Sequence, residues 1–248
     1  MATSARIATP ETRRIPMSNK TQSDRVFGAL RADILGCRLM PGSKLRINDI
    51  AETSQVSLGA VREALSRLGA EGLVIAESQK GYHVAPLSAE EFHDLTDARV
   101  EIERIALARS IRNGDIEWES RLVAAWHRLS KTTVHLEGNP RLYSDDWSAA
   151  HRAFHQALVD ACGCAKILQI RAQLYEQAER YRRYSGVVSK QKRDVAAEHR
   201  NLFEVTIARD AAAATEAIRA HLWLTADIII ASASLPPGSE GAKLAAVG

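Results

Sequence analysis

One stretch of the chain reads Val56-Ser57-Leu58-Gly59-Ala60-Val61-Arg62-Glu63-Ala64-Leu65-Ser66-Arg67-Leu68. Its apolar residues recur at helical spacing and form one face, made of Ala60, Val61, Ala64, Leu65 and Leu68. Ser57 can accept a hydrogen bond from the first turn and so cap the helix. Arg62 and Ser66 lie away from the apolar face. The stretch predicts an amphipathic helix with a basic and polar outer side.

A shorter helix is predicted just before it, over residues 47–52, and residues 53–55 read as a tight turn. A helix, a short turn and a second helix with basic and small polar residues is the arrangement that places a recognition helix in the major groove of DNA. Helical hairpins are also common as purely structural elements. The motif alone therefore leaves both interpretations open.

The residues that follow predict a wing. A short apolar run begins after Gly72, a turn covers Gln79-Lys80-Gly81, and a second short run covers residues 82–85. Such a pair of runs around a glycine turn is typical of a two-stranded hairpin. With a further helix predicted over residues 26–35, the segment reads as three helices and a small two-stranded wing.

Several short motifs of this segment occur in one order, and they are Ile34-Leu35-Gly36, Pro41-Gly42-x-x-Leu45, Val61-Arg62-Glu63-Ala64-Leu65, Glu71-Gly72-Leu73-Val74 and Gly81-x-x-Val84. The segment resembles the winged-helix regulators of the GntR type. The resemblance implies binding to a double-stranded DNA operator through Arg46, Asn48, Ser57, Leu58, Gly59, Arg62, Lys80 and Gly81. Most such regulators have Ser-Arg where this chain has Ser57-Leu58, so its operator need not match the common one.

Composition limits the other possibilities. The chain has 248 residues, of which 46% are hydrophobic, and its net charge is +3. This charge is too small to indicate nucleic-acid binding by itself, so specific contacts must hold any DNA. We find neither a secretory apolar region nor an apolar run near 18 residues, which predicts a soluble, cytoplasmic protein without a membrane partner.

The three cysteines are too few for a disulfide framework. Cys162-Gly163-Cys164 fits a thiol pair or half of a metal site. It fits better as a set of small residues at the end of a helix.

The expected fold class is mainly α. Residues 1–20 are expected to be a disordered tail, 21–87 the winged helix-turn-helix domain, 88–235 an all-α bundle of six to seven helices, and 236–248 a flexible tail. Ser88-x-x-Glu91 is a capping box that starts the bundle. Six helices are predicted there, over about residues 89–113, 116–136, 144–163, 165–184, 189–208 and 211–234.

Histidines carry the possible chemistry of this bundle. His151 and His155 are four residues apart, so their rings share one helical face, and His199 and His221 fall in two further predicted helices. A single helical histidine is more often an ordinary core or surface residue. If all four rings face inward, four neutral imidazoles suit zinc, nickel or another first-row divalent metal.

The motifs around these histidines are Ala153-Phe154-His155, Glu198-His199-x-x-Leu202 and Ala220-His221-Leu222. They resemble the FCD effector domain of the FadR-like branch of GntR regulators. The resemblance implies a metal held by His151, His155, His199 and His221, with zinc favoured. Metal-binding members usually have aspartate where this chain has His151. Arg99 matches the arginine that typically meets an organic acid's carboxylate, although a surface ion pair with Glu103 or Glu101 is an alternative.

Within this branch the sequence resembles the carbon-starvation-induced regulator group, through motifs such as Glu117-Trp118-Glu119 and Ala178-x-Arg180-Tyr181-Arg182. We therefore expect a homodimeric repressor on a palindromic operator, controlled by a small carboxylate effector. The alternative is a metalloenzyme with a winged-helix appendage that acts on a small organic acid. An enzyme needs a general base at the metal, and Glu198, adjoining His199 in a helix, faces about 100° away from it.

Overall fold

The computed structural model describes residues 21–77, 80–189 and 193–231. Both predicted tails lie outside these residues, as does Gln79 of the predicted wing. The first part of the chain contains, in order, α1 (Gln22–Leu35), β1 (Lys44–Leu45), α2 (Ile47–Ser54), α3 (Leu58–Ala70), β2 (Val74–Glu77) and β3 (Gly81–Val84).

Helix α3 forms as its sequence predicts. Ser57 caps it, since its Oγ accepts a hydrogen bond of 3.2 Å from the amide of Ala60. The turn before it is made by Gln55, whose φ of 53° lies in the left-handed region and ends α2. On the apolar face the four side chains with no exposure at all are Val61, Ala64, Leu65 and Leu68. They pack against α1, and a buried aliphatic side chain of this size typically contributes about 1.5–3 kcal/mol.

The wing has the two predicted strands and one more. β2 and β3 pair antiparallel, with Val74 opposite Val84. β1 pairs with the other edge of β3, with Leu45 opposite Tyr82, so the strand order is β1-β3-β2. Two residues are too short to show a strand period in a sequence. Only the pairing with a distant strand identifies β1.

The second part of the chain contains six helices among its described residues, as predicted, and an additional hairpin. The elements are α4 (Ala89–Asn113), α5 (Ile116–Lys131), β4 (His135–Leu136), β5 (Asn139–Tyr143), α6 (Asp145–Val159), α7 (Ala165–Val188), α8 (Val195–Ile207) and α9 (Ala211–Ile230). The mainly α fold class is confirmed. No helix within the described ranges is both long and apolar enough to cross a bilayer.

The hairpin corrects the prediction that this part is wholly helical. α5 ends at Lys131 instead of residue 136, and β4 and β5 then pair antiparallel. The residues after α5 are Thr132, Thr133 and Val134, whose branched side chains disfavour a helix. Gly138 has a φ of 77° and makes the turn between the strands.

Other helix boundaries differ as well, and α6 ends at Val159 instead of near residue 163. α7 continues to Val188, beyond the predicted residue 184, and α8 begins at Val195 rather than near residue 189. Asp194 marks the start of α8, because its carboxylate accepts a hydrogen bond of 2.9 Å from the amide of Ala197.

At the joint between the two parts, half of the predicted capping box forms. Ser88 Oγ accepts a hydrogen bond of 3.2 Å from the amide of Glu91. The Glu91 carboxylate instead accepts a hydrogen bond of 3.0 Å from the Tyr181 hydroxyl. Cys37, which follows α1, is buried in the same apolar cluster as Leu87 and Tyr181. The joint is therefore a packed interface; the division at residue 87 itself stays a prediction.

Candidate metal centre and DNA interface

Three helices bring four histidines together. His151 and His155 lie one turn apart on α6, His199 lies on α8 and His221 on α9. All four are buried, and one ring nitrogen of each lies within 4.8 Å of the corresponding nitrogen of the other three. Trp147, one turn before His151 on α6, packs against the His151 ring at a centroid distance of 4.9 Å. The tertiary fold thus clusters the four predicted ligands.

The spacing inside the cluster fits a metal ion. His155 Nε2 and His199 Nε2 are 3.3 Å apart. Two nitrogens that bind one tetrahedral zinc at about 2.05 Å lie about 3.3 Å from each other. His155 Nδ1 is buried and finds no hydrogen-bond partner in the described part of the chain. The ring is therefore not held by an ordinary pair of protein hydrogen bonds.

Hydrogen bonds from outside the cluster orient two of the rings. His199 Nδ1–H donates to the Val195 carbonyl at 2.6 Å, and His221 Nδ1–H donates to Glu198 Oε2 at 2.8 Å. A ring that donates through Nδ1 keeps its Nε2 lone pair free. Such outer contacts are the usual support of metal-binding histidines. Both rings are thus prepared to bind a cation through Nε2.

Burial keeps the imidazoles neutral. It lowers the pKa of His151 and of His155 well below the ordinary value, and it lowers that of His199 to about 3. Burial also lowers the pKa of His221, against the opposing effect of the Glu198 carboxylate. Imidazoles bind metals only in the neutral form. Near neutral pH the cluster therefore presents four available nitrogen donors.

Arg99 lies beside this cluster. It lines a cavity of about 20 Å³ together with His151, His221 and Arg182. Its side chain is 9% exposed, which contradicts the alternative of an ion pair at the surface: Arg99 Nε faces Glu103 Oε1 at 3.6 Å in the interior. Burial lowers the pKa of Arg99, and its Nε–H has no hydrogen-bond partner among the described residues. A buried guanidinium in the wall of this cavity favours an anion inside it.

The eight residues predicted to contact DNA are all exposed. Arg46 and Asn48 lie at the start of α2, Ser57, Leu58, Gly59 and Arg62 lie at the start of α3, and Lys80 and Gly81 lie at the wing. Lys80 pairs with Glu77 at 2.9 Å, and Arg46 faces Asp49 at 3.8 Å. Arg62 forms no ion pair within the described ranges, so its guanidinium is available.

Comparison with known proteins assigns the chain to a family. The family of bacterial regulatory proteins of the gntR type matches residues 22–84, and the FCD domain matches residues 94–223. The chain belongs to the GntR family and carries an FCD domain. It is a DNA-binding transcriptional regulator and not an enzyme, which sets aside the metalloenzyme alternative.

Two relatives of this GntR regulator are similar over most of their length. The HTH-type transcriptional regulator BphR of Paraburkholderia xenovorans is 39% identical, over 87% of this chain and 88% of its own. The HTH-type transcriptional repressor GlaR of Escherichia coli is 37% identical, over 81% and 92%. A GntR regulator from Rhodococcus sp. RHA1 has the same fold, with a TM-score of 0.64 at 22% identity over 84% of this chain and 97% of its own. The prediction of family and branch is confirmed.

The structure of this GntR regulator also reveals site residues that sequence reasoning missed. From sequence, Glu198 is considered only as a general base and is set aside because it faces away from His199. In the structure its carboxylate accepts a hydrogen bond from His221 on the neighbouring helix. Arg182 lines the cavity, and Tyr175 places its hydroxyl 3.1 Å from His151 Nδ1. The only sequence feature that could have indicated a role for Glu198 is its position next to His199. For Arg182 the only such feature is the run of arginines and tyrosines over residues 180–184.

Glu198→Gln should weaken zinc binding by about 10–100-fold, the usual effect of removing an outer-shell partner. Burial would raise the pKa of Glu198, but hydrogen bonds from Arg193 and His221 outweigh it and hold the pKa at about 2. The carboxylate is therefore charged, and an amide supports a cation-bound imidazole less well. A competition titration with a chromophoric chelator measures the affinity. Glu204→Gln on the same helix is the control, and equal affinities for both variants would contradict the role of Glu198.

Proposed function

We propose that the chain is a cytoplasmic transcriptional repressor, which binds a palindromic operator as a homodimer and releases it when a small carboxylate enters the FCD domain. A divalent metal, zinc in preference to nickel or other first-row metals, would be held by His151, His155, His199 and His221. The main support is that four buried histidines and an unsatisfied buried arginine line or adjoin one cavity. That GlaR is named a repressor supports the direction of control.

The histidine set fits a borderline divalent cation. Neutral imidazoles suit zinc, copper, iron and nickel, whereas calcium and magnesium prefer oxygen ligands. When bound, such a metal would supply positive charge and Lewis acidity beside the cavity. His151 and His221 belong both to the histidine cluster and to the cavity wall, so the two features adjoin.

Arg99 supplies the contact that selects an anion. A guanidinium remains charged even when buried, and it binds a carboxylate through parallel N–H groups. The Glu103 carboxylate already faces Arg99 Nε, and Arg171 Nε donates to Glu103 at 3.0 Å. Glu103 is thus shared between two guanidiniums, which leaves charge on Arg99 for an incoming carboxylate.

The DNA-binding part requires a second copy. One winged helix buries too little DNA surface for a tight specific complex, and a two-fold dimer reads a two-fold operator. GntR regulators bind operators and effectors and are usually dimers. An effector that shifts the packing of the FCD domain would change the relative placement of the two winged helices.

Operator selection from random duplex DNA tests this function directly. We expect a palindromic consensus, a dimer in sedimentation, and zinc in elemental analysis of gently purified protein. Titration of the complex with a panel of small carboxylic acids should find one that releases DNA and is recovered unchanged. Failure to enrich any sequence would contradict the DNA-binding role. Release by none of the acids, from protein shown to contain metal, would contradict the proposed control.

Arg62→Ala should reduce operator affinity by about 1–3 kcal/mol if the side chain contacts a base. Its exposure at the start of α3 supports such a contact, because recognition helices meet base edges through their first residues. If it contacts a phosphate instead, binding to all sequences should weaken alike. Fluorescence anisotropy on the selected operator and on a scrambled duplex separates the two cases. Arg121→Ala, an exposed arginine on α5, is the control; unchanged affinity in folded Arg62→Ala would remove this residue from the interface.

A further inference from the structure

A chain of ion pairs leads from the cavity wall to the winged-helix part. Arg182 and Arg183 both donate to Glu179 Oε1, at 2.6 and 2.9 Å. Arg183 Nη1 donates to Asp145 Oδ1 at 2.6 Å, and Arg38 Nη1 donates to Asp145 Oδ2 at 3.2 Å. Positive and negative side chains therefore alternate from Arg182 to Arg38, and each is paired with the next.

The end of this chain at the cavity is buried and incompletely satisfied. Arg182 is 8% exposed, and its Nη1 has no hydrogen-bond partner in the part of the chain that the structure describes. Its other nitrogens donate to Glu179 and to Ser148 Oγ. The cavity of about 20 Å³ holds little more than one water molecule. A carboxylate cannot enter unless a wall moves, and Arg182 is part of that wall.

The other end lies where α1 stops. Arg38 Nε donates to Asp33 Oδ1 at 2.7 Å, and the amide of Arg38 donates to the Asp33 carbonyl at 2.9 Å. Side chain and backbone of Arg38 thus both hold the last turn of α1. Helix α1 packs on α3, which carries Leu58, Gly59 and Arg62 of the residues predicted to contact DNA. A shift of Arg38 is therefore a shift at the base of the DNA-binding part.

We propose that Arg182 is a positioning residue that transmits the state of the effector cavity to α1 through Glu179, Arg183, Asp145 and Arg38; this rests on the proposed function. Glu179 is the branch point, because one carboxylate serves two guanidiniums. An anion at Arg182 Nη1 draws Arg182 away from Glu179. Glu179 then pairs more strongly with Arg183, and this weakens the ion pair between Arg183 and Asp145. Because the Asp145 side chain is 63% exposed, water weakens this link and the coupling is a few-fold effect.

A double-mutant cycle between Arg182→Lys and Arg38→Gln tests the coupling without an effector. The readout is hydrogen exchange of the backbone amides of Gly36, Arg38 and Leu39, which donate to carbonyls of α1. Each single variant should raise the exchange rates of these amides. The rate increase in the double variant should differ by about threefold or more from the product of the two single increases. The departure should vanish in an Asp145→Asn background.

Asp146→Asn is the matched control for this cycle. Asp146 shares the first turn of α6 and the same charge with Asp145, but it forms no ion pair within the described ranges. The departure should persist in its background. The proposal would be overturned if the two rate increases simply multiply when Asp145 and Asp146 are both unchanged. It would also be overturned if Asp145→Asn and Asp146→Asn abolish the departure equally. If Arg182→Lys fails to fold, the cycle of Arg183→Gln with Arg38→Gln tests the same chain one link further on, with the same expected outcomes.

The exchange measurement involves neither operator nor carboxylate. A multiplicative cycle in a protein that binds its selected operator therefore overturns the coupling alone. A protein that selects no operator but shows the coupling overturns the proposed function alone.

Discussion

Acidification of chelator-treated protein from about pH 7 to about pH 5.5 should lower its free energy of unfolding by about 3–4 kcal/mol. The cause is the buried histidine cluster. The pKa of His199 lies near 3, and burial holds that of His151 and His155 well below the ordinary value. Each of these three should contribute a little over 1 kcal/mol across this interval, because only the unfolded chain gains the proton.

The sign of this effect follows from proton binding. In the unfolded chain a histidine binds a proton with a pKa of about 6.5, whereas the folded chain resists protonation of the buried rings. Below about pH 6.5 the unfolded state therefore holds more protons, and stability falls as the pH falls. Glu179 and Glu198 have pKa values of about 2 in the fold, so their contribution is lost only below about pH 4.5. The interval therefore isolates the histidines.

Urea titrations at several pH values, in the presence of chelator, measure this slope. His199→Gln should reduce the slope, since one buried titrating ring is removed. His127→Gln, at an exposed position on α5, is the matched control and should leave the slope unchanged. Stability that stays constant over this interval would show that the four rings are not held neutral by burial.

Zinc should stabilise the fold by about 2.7 kcal/mol when its free concentration is 100-fold above its dissociation constant. The four donors come from three helices that are far apart in sequence, so the unfolded chain offers no assembled site. Metal binding therefore favours the folded state. At a fixed ratio of free zinc to its dissociation constant, the gain should change little between about pH 7 and about pH 5.5, because burial keeps these imidazoles neutral in the folded chain.

Thermal melts with zinc and with chelator measure this stabilisation. His155→Ala and His199→Ala should abolish the zinc response, and His127→Ala should retain it. The His151→Asp variant should still bind a metal, because aspartate is the more frequent ligand at this position in metal-binding FCD domains. Its preference between zinc and nickel should change. A melting temperature insensitive to zinc, together with an unaffected His155→Ala variant, would reduce the site to four buried histidines.

The local sequence was sufficient to predict a feature when all the residues that determine the feature lie in one helix. The period of Val61, Leu65 and Leu68 predicts the buried face of α3, because side chains three and four residues apart share one side of a helix. Ser57 and its cap are equally local. The four-residue spacing of His151 and His155 placed both rings on one face for the same reason. The hairpin at residues 135–143 escaped prediction, because strands of two and five residues gain their stability mainly from pairing and packing.

What the sequence alone determined, therefore, is the winged helix, the helical class of the second part and the identity of the candidate ligands. Tertiary structure alone decided that His199 and His221 meet the α6 pair, that Glu198 supports His221 and that Arg99 is buried at the cavity. It also decided that Arg38 reaches Asp145 across the joint. These contacts join residues on different helices, and helix packing sets their distances. No periodicity within a single helix contains that information.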